Sequence, residues 1–287
     1  MATTIEIRPT GAALGADVVR AALAAPSEAM LEQIRAALGA HLVLRFRGTD
    51  LDDTAYVALG RTFGEIEPPD AHTRTASMTD AAFAEMSVIS NIVENGVAKG
   101  ESGDGELRWH TDHGFMAHPA GFTMLLAREV PASGGDTSFH NMYRAYEALP
   151  DDLRARLEGR SLKHQASHGS TGQRRPGYLD LESDDPRDLP GALHPIVRTH
   201  PETGRKALFL GRRFGSYIPP LALEASEALL DELWDHATRD EFSWTQRWQV
   251  GDLIIWDNRC TMHRRDGFAG HGRRRMHRLM TKGERPV

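Results

Sequence analysis

Short segments of alternating apolar and polar residues, separated by turn-forming residues, constrain the fold of this chain more than any other feature. Apolar residues with a period of two are typical of strands that have one buried face. Such a pattern, together with apolar runs bounded by turn residues, predicts strands at residues 4–9, 41–48, 86–92, 121–130, 136–139, 161–166, 242–250, 253–258 and 274–281, and a strand–turn–strand hairpin over 193–211. The chain is therefore predicted to be mainly β.

Apolar residues with helical spacing occur in only a few segments. They predict helices at residues 27–38, 50–63, 141–149, 150–157 and 223–236. Ser27 is placed to cap the first helix, and Asp50 or Asp52 the second, because their side chains accept hydrogen bonds from free amides of the first turn. Strands and helices do not alternate regularly, which argues against a Rossmann or TIM-barrel architecture. The pattern favours a jelly-roll or cupin-like barrel with flanking helices.

Two long polar segments interrupt this pattern. The first leads into residue 109 through the stretch VENGVAKGESGDGELR, and the second follows residue 167 and is rich in proline and glycine. Long irregular segments in a compact protein are commonly functional. We therefore predict a single domain over residues 1–287, with lid segments near 72–108 and 167–192.

The overall charge and the cysteine content exclude several classes of protein. The net charge of −6 disfavours non-specific binding to nucleic acid. The single cysteine, Cys260, excludes an intramolecular disulfide and fits a reducing compartment. Glu6 and Arg8 interrupt the N-terminal stretch where a signal peptide would be apolar, and no uncharged apolar stretch is long enough to span a membrane. We expect a cytoplasmic protein.

The sequence ELRWHTDHGF contains a candidate metal site. If residues 109–115 form a strand, His110 and Asp112 point to the same face, with Cα atoms about 6.6 Å apart. His263, expected at the end of a strand, would supply a third ligand. Two histidines and one carboxylate form the facial triad of non-haem Fe(II) oxygenases. A structural zinc site would need more cysteines, and the HExxH motif is absent.

A basic run near the C-terminus could bind a dianionic cosubstrate. Fe(II) oxygenases of this kind need an electron source such as 2-oxoglutarate, and arginine binds its far carboxylate well. Arg274 and Arg278 would face the same side of a strand, because an even number separates them. The run could also be a solvated face or a phosphate-binding patch. From these residues alone, a metal-dependent isomerase or hydrolase, a non-catalytic binding protein and an enzyme acting on nucleic acid remain alternatives.

Four motifs follow one another along the chain in the order that is typical of one enzyme family: WHTD, GGDT, WDNRCTMH and RRRMHR. Together with IEIRPTGAALGADV, RTFGEIE and HPIVRTHPETGRKALFLG, they make the chain resemble the taurine dioxygenase and 2,4-dichlorophenoxyacetate dioxygenase (TauD/TfdA) family over most of its length. The stretch GRRFGSYIP is most similar to the branch containing aryloxyalkanoate dioxygenases. The resemblance implies a double-stranded β-helix as the core and assembly into a homo-oligomer, either a dimer or a tetramer.

The resemblance also implies roles for individual residues. The iron ligands of the family match His110, Asp112 and His263, and the residues that bind 2-oxoglutarate match Thr137 and Arg274. Arg278 matches a second active-site arginine, which contacts either 2-oxoglutarate or an anionic group of the substrate. Trp256 matches a tryptophan close to the iron.

Substrate contacts are expected from His72, Asn91, His113 and Phe115. Tyr178, Arg212 and Arg213 are further candidates, although exposed arginines are usually solvated. The sequence departs from the taurine enzymes at Glu106, where those enzymes have an asparagine, so taurine itself is not the expected substrate.

The expected activity is that of an Fe(II)- and 2-oxoglutarate-dependent dioxygenase, which uses O2 to hydroxylate a small anionic organic substrate. The expected substrate is an aryloxyalkanoate, a sulfonate or sulfate, or a related carboxylate. Succinate and CO2 would be released, and a C–O or C–S bond would break if the hydroxylated carbon carried a leaving group. A hydroxylase of an amino acid or of a natural-product intermediate, and a metal-dependent barrel protein that is not an oxygenase, are the alternative interpretations.

Overall fold

The computed structural model describes residues 5–69, 79–80 and 83–287. Its strands are β1 (Glu6–Pro9), β2 (Ala16–Val19), β3 (Val43–Phe46), β4 (Thr79–Asp80), β5 (Phe83–Ser90), β6 (Val93–Glu94), β7 (Val97–Ala98), β8 (Glu101–Ser102), β9 (Leu107–His110), β10 (Ala120–Glu129), β11 (Thr137–Asn141), β12 (Ser161–Gln165), β13 (Gly191–Pro195), β14 (Val197–Thr199), β15 (Lys206–Leu208), β16 (Ser243–Gln246), β17 (Leu253–Asp257), β18 (Thr261–Arg265) and β19 (Arg275–Lys282). The helices are α1 (Glu28–His41), α2 (Asp53–Arg61), α3 (Met142–Glu147), α4 (Asp151–Leu157) and α5 (Leu223–Ala237).

Two mainly antiparallel sheets form the core of the protein. The larger sheet has the order β1-β2-β3-β17-β10-β19-β5-β4, and β8 also pairs with β5. The smaller sheet has the order β16-β11-β18-β9. Only the pairs β2–β3 and β5–β8 are parallel among these strands. The prediction of a mainly β chain with flanking helices is confirmed.

Apolar side chains fill both faces of the larger sheet. On one face, α1 and α2 contribute residues such as Ile34, Leu38 and Tyr56 to a core with β3, β10 and β17. A second core contains Phe139 and Trp256, together with residues of α3, α4 and α5. Burial of this apolar surface is the main force that holds the layers together.

The two predicted N-terminal helix caps are present in the structure. Ser27 Oγ accepts a hydrogen bond from the Met30 amide at 3.3 Å. Asp52, the second of the two candidates for α2, accepts one from the Ala55 amide at 2.7 Å. These bonds satisfy amides that have no partner within the helix, and so they fix where each helix begins. The first helix ends three residues later than predicted, at His41, where Leu42 takes a positive φ of 67°.

Two predictions about the strands near the candidate site are wrong. The strand expected over residues 109–115 ends at His110, and the chain then turns, with His113 at a φ of +53°. His263 does not lie at the end of the strand formed by residues 253–257, but in the middle of a separate strand, β18. Residues 258–260 make the turn between these strands without a glycine or proline to signal it.

The two segments predicted as lids differ in structure. Part of the first, including His72, lies outside the described residues, and the rest contains the strands β4 to β8 and the start of β9. The second is mostly irregular and contains one 3-10 turn, Pro176–Tyr178. Within the described part of the chain, no helix combines the length and the apolar character that crossing a bilayer requires.

Candidate metal centre and substrate cavity

Pairing between β9 and β18 brings two of the predicted metal ligands together. His110 stands directly opposite His263 in this ladder, and their ring centroids are 4.2 Å apart. Asp112 follows β9 by two residues, in the turn that replaces the expected strand. Each histidine Nε2 lies 3.8 Å from an oxygen of Asp112. All three side chains are buried, and one ligand atom from each lies within 4.8 Å of the others.

These distances fit a shared metal ion. A separation of 3.8 Å is too long for a hydrogen bond, but it suits two ligands that each bind one ion at about 2.0–2.2 Å. The Nδ1 of His110 lies 2.7 Å from the carbonyl oxygen of Arg108. A proton on this Nδ1 is donated to that carbonyl, and so the lone pair of Nε2 faces Asp112.

A chain of hydrogen bonds orients Asp112. Thr123 Oγ1 donates to Asp112 Oδ2 at 2.9 Å, and the amide of Asn258 donates to the same threonine hydroxyl at 2.5 Å. Trp256 Nε1 donates to Asn258 Oδ1 at 3.0 Å. The Trp256 ring also lies 4.9 Å from the ring of His263. Trp256 therefore supports the site through packing and through this chain, rather than by facing the cavity.

The protonation states of the three residues suit metal binding. Burial lowers the pKa of His110 well below its usual value, and the neighbouring His263 and Arg212 lower it further. Burial also lowers the pKa of His263. Burial alone would raise the pKa of Asp112, but the neighbouring His263 and the charge of Arg278 hold it below its usual value. Two neutral imidazoles and one carboxylate are the forms that bind a divalent cation.

A cavity of about 690 Å³ opens beside this centre. His110 and Asp112 line it together with His113 and Phe115, two of the expected substrate contacts. The residues from other parts of the chain that line the cavity include Glu101, Ser170, Arg175, Arg212 and Arg278. A volume of this size accommodates a small organic molecule.

Of the two predicted site residues Arg278 and Asn91, only Arg278 lines the cavity. Arg278 lines the cavity and forms an ion pair of 2.7 Å with Glu101. Asn91 does not line the cavity, and its amide group is used elsewhere. It accepts a hydrogen bond from the backbone amide of Arg274 and donates one to the carbonyl oxygen of Gly272. Asn91 therefore positions the backbone of Arg274, in place of the substrate contact that we expected from the sequence.

Thr137 and Arg274 lie together outside the lining of the cavity. Trp248 Nε1 donates to Thr137 Oγ1 at 3.0 Å, and the Trp248 ring centroid is 5.9 Å from Arg274 Cζ. Arg274 is only 1% exposed. Its guanidinium group donates no hydrogen bond to any residue that the structure describes, and its Nε is buried without a partner.

An unpaired buried cation is costly, and an anion would complete this site. Burial lowers the pKa of Arg274 to about 9, and the neighbouring Arg265 contributes to the decrease. The group thus remains charged near neutral pH. Because the hydroxyl of Thr137 accepts from Trp248, its own proton is available to an acceptor such as a carboxylate. The pair fits the far carboxylate of 2-oxoglutarate.

The sequence does not single out Arg212 as a residue of the cavity, or Thr123 and Asn258 as residues that orient Asp112. Arg212 is a minor candidate from the sequence because isolated arginines are usually solvated, yet it is half-buried and lines the cavity. Thr123 and Asn258 carried no motif signal of their own. Arg213 points elsewhere and pairs with Glu227 and Asp231.

A second buried cluster, formed by His200, Asp257 and Cys260, also has the spacing of metal ligands. Its carboxylate is already fully used, because it accepts hydrogen bonds from Arg259 and lies 3.0 Å from His200 Nε2. This cluster joins structural elements and has no open side for an ion.

Comparisons with known proteins agree with the chemistry of the site. The model of the family "Taurine catabolism dioxygenase TauD, TfdA family" matches residues 6–280. The chain is 37% identical over 245 residues to the alpha-ketoglutarate-dependent 2,4-dichlorophenoxyacetate dioxygenase of Cupriavidus pinatubonensis, covering 83% of this chain and 84% of the relative. It is 33% identical over 295 residues to pentalenolactone F synthase of Streptomyces arenae, covering 99% and 97%.

The fold is similar to that of solved structures from the same group. The crystal structure of AAD-2 in complex with Mn(II) and N-oxalylglycine superposes with a TM-score of 0.78 at 28% identity, covering 99% of both chains. This similarity confirms the prediction of a cupin-like, double-stranded β-helix core.

Proposed function

Since the chain belongs to the taurine catabolism dioxygenase TauD, TfdA family, we propose that it oxidises a small organic anion held in the cavity beside His110, Asp112 and His263. The protein is an Fe(II)- and 2-oxoglutarate-dependent dioxygenase. Together with 2-oxoglutarate, the bound iron supplies the activation of O2 that hydroxylates a C–H bond and releases succinate and CO2.

The residues of the chain have separate tasks in this proposal. His110, Asp112 and His263 hold the iron, and Thr123 keeps the carboxylate of Asp112 in place. Thr137 and Arg274 bind the far carboxylate of 2-oxoglutarate, and Arg278 lies where it contacts either 2-oxoglutarate or the substrate. The buried position of the centre restricts the access of water to the reacting atoms. No acid or base residue is required of the protein.

Arginines on the wall of the cavity support an anionic substrate. Four of them line it along with Phe115 and four carboxylates: Arg174, Arg175, Arg212 and Arg278, with Glu101, Asp104, Glu106 and Asp112. Arg174 pairs with Asp184 and Arg278 with Glu101, whereas Arg212 forms no ion pair with a described carboxylate. Guanidinium groups bind carboxylates and sulfonates well, and the aromatic ring offers an apolar surface to the remainder of the molecule. An aryloxyalkanoate, a sulfonate or sulfate ester, or a related carboxylate fits this description. If the hydroxylated carbon carries an ether oxygen, the product collapses to an alcohol or phenol and an aldehyde.

The arrangement of His110, Asp112 and His263 at the edge of this cavity is the observation that carries the proposal. The test measures succinate formed from 2-oxoglutarate with Fe(II), O2 and a panel of aryloxyacetates, sulfonates and sulfate esters. We expect at least one anion to accelerate succinate formation, and His110→Ala to abolish it. His118→Ala, which changes an exposed histidine in the segment that follows β9, is the matched control. Undiminished activity in His110→Ala would contradict the ligand assignment.

A second candidate is the hydroxylation of a natural-product intermediate. The match to pentalenolactone F synthase over nearly the full length of both chains favours it. Substrate-dependent succinate formation with carboxylic acids that are natural-product intermediates, but with no aryloxyacetate, would select this candidate over the first.

We also propose that residues 1–287 form one dioxygenase domain with lids near 72–108 and 167–192, and that the chain assembles into a homo-oligomer. The irregular segment after residue 166 supports the second lid because it supplies Ser170 and Arg175 to the cavity wall. We expect 2-oxoglutarate with Mn(II) to protect both segments from proteolysis. We expect light scattering to give the mass of a dimer or a tetramer.

A further inference from the structure

We propose that Arg212 binds the anionic group of the substrate and thereby fixes which end of the substrate faces the metal centre. This inference rests on the proposed function and adds a specificity-determining residue to it. Arg278 was the arginine to which the sequence pointed for this role, but its guanidinium already pairs with Glu101 in the structure.

The backbone of Arg212 is held firmly in place. Gly211 has a φ of +61°, and a Cβ atom at this position would overlap the ring of buried His164. Ser216 Oγ donates a hydrogen bond to the carbonyl oxygen of Arg212. These contacts leave the chain little freedom at residue 212, so the direction of its side chain is set before any ligand binds. Preorganisation of this kind lowers the entropic cost of binding.

Within the described part of the chain, the guanidinium group of Arg212 has one hydrogen-bond partner. Its Nε donates to Ser170 Oγ at 3.0 Å, and Arg212 forms no ion pair with any carboxylate that the structure describes. The adjacent Arg213, in contrast, pairs with both Glu227 and Asp231. Since a charge that is partly withdrawn from water is costly without a counter-ion, the lack of an ion-pair partner among the described residues indicates that the partner of Arg212 arrives from outside the protein.

The surroundings of Arg212 place such an anion next to the metal centre. Arg212 shares the cavity wall with His110 and Asp112. Burial, with the charge of Arg175, lowers the pKa of Arg212 to about 9, although Asp112 opposes the decrease. Arg212 is therefore still a cation at neutral pH, and it lies close enough to Asp112 to be affected by its charge.

The chemical class of the ligand follows from the neighbouring aromatic ring. Phe115 lies with its centroid 5.8 Å from Arg212 Cζ and 4.0 Å from Arg175 Cζ. A ligand that pairs with Arg212 thus has an apolar ring surface beside its charge. This combination fits an organic acid with an apolar or aryl body. The more polar 2-oxoglutarate has a separate, buried cation in Arg274.

Direct binding tests this role without turnover. The probes are two anions, 2,4-dichlorophenoxyacetate and phenylmethanesulfonate, and one uncharged compound, the amide of 2,4-dichlorophenoxyacetate. Each probe is titrated by calorimetry into protein that is loaded with Mn(II) and 2-oxoglutarate and kept under anaerobic conditions. We expect Arg212→Met to raise the Kd of the bound anion at least tenfold, and to leave the Kd values of the amide and of 2-oxoglutarate unchanged. Arg212→Lys should give an intermediate value, and Arg213→Met should match the wild type.

Three results would overturn the inference. They are an unchanged Kd of the anion in Arg212→Met, an equal loss of 2-oxoglutarate affinity in that variant, and binding of neither anion by the wild type. The proposed activity is judged separately, by Fe(II)-dependent conversion of 2-oxoglutarate to succinate in the wild type without added substrate. This slow conversion can persist when the role of Arg212 is refuted, so the two failures are distinguishable.

Discussion

Thr123 illustrates how a residue outside the metal triad can control it. Its hydroxyl donates to Asp112 and accepts from Asn258, so it fixes the carboxylate that lies between the two histidines. We predict that Thr123→Val, which keeps the shape of the side chain, lowers the affinity for Mn(II) by about 10- to 100-fold. A calorimetric metal titration measures this. Thr245→Val, on an exposed part of the smaller sheet, should bind Mn(II) like the wild type, and equal affinities in both variants would contradict the role of Thr123.

Arg274 should show opposite effects on binding and on stability. Replacing it with methionine removes a buried cation that lacks a protein partner, and so Arg274→Met is expected to unfold at the same temperature as the wild type or higher. The same variant should raise the Kd of 2-oxoglutarate at least tenfold while metal affinity stays the same. Calorimetry and thermal unfolding measure both effects. Arg273→Met, which changes an exposed neighbour, is the control, and unaltered 2-oxoglutarate affinity in Arg274→Met would contradict the assignment.

The sequence predicted the individual residues of the centre unevenly. His110, Asp112 and His263 could be selected because their residue types and their motifs point to one kind of chemistry. Arg212 could not, because its proposed role depends on the lack of a carboxylate partner among the described residues and on the contact of Gly211 with His164. Both facts involve residues distant in the chain, and neither leaves a local pattern.

At the scale of elements, Asp257 at the end of β17 connects this strand to the turn after β14. Burial raises the pKa of Asp257, but hydrogen bonds with His200 and Arg259 outweigh this effect and hold the pKa at about 2. A depressed carboxyl pKa contributes stability that is present above the unfolded value, near 4, and is lost as the pH falls toward 2. The difference between these values corresponds to about 2 kcal/mol of unfolding free energy.

Urea unfolding between pH 2 and pH 7 tests this contribution. Asp257→Asn should be less stable than the wild type by about 2 kcal/mol or more at pH 7, and the difference should shrink as the pH falls from 4 to 2. Asp151→Asn, which removes an exposed charge at the start of α4, is the control. A difference between Asp257→Asn and the wild type that stays constant with pH would exclude this linkage.

Most elements were predictable because their signals are local. Ser27 and Asp52 act as caps as expected, and the buried run of β10 was found within one residue at each end. The strand expected over residues 109–115 rested on the spacing of His110 and Asp112 and not on alternation, because residues 110–113 are all polar. The chain instead turns after His110, so that Asp112 faces both histidines.

At the scale of the whole molecule, the metal centre ties together distant parts of the chain, so ligands should stabilise the entire fold. A ligand present at 100 times its Kd adds about 2.7 kcal/mol to the unfolding free energy, or roughly 5 °C or more in Tm for a chain of this size. We predict that Mn(II) with 2-oxoglutarate raises the Tm of the wild type by at least this amount and leaves that of His110→Ala almost unchanged. Scanning calorimetry measures the shifts, and equal shifts in both proteins would place the binding elsewhere.

The barrel class could be predicted from the sequence, but the order of its strands could not. Strand β10 lies between β17 and β19, which are more than 100 residues away in the chain. Such pairings depend on how all the apolar faces fit together and not on any single segment. The resemblance to a known family supplied the missing long-range information.

The positions of the ligands and of Arg212 have an evolutionary consequence. His110 and His263 belong to paired strands, whereas Arg212 and Ser170 lie on connecting segments outside the two sheets. Mutations in those segments change the wall of the cavity without removing a hydrogen bond from either ladder, so under the proposed role of Arg212 they would alter which anion is accepted. A lineage carrying this gene could therefore acquire a new growth substrate by changing a few loop codons, while inheriting the oxidising centre intact.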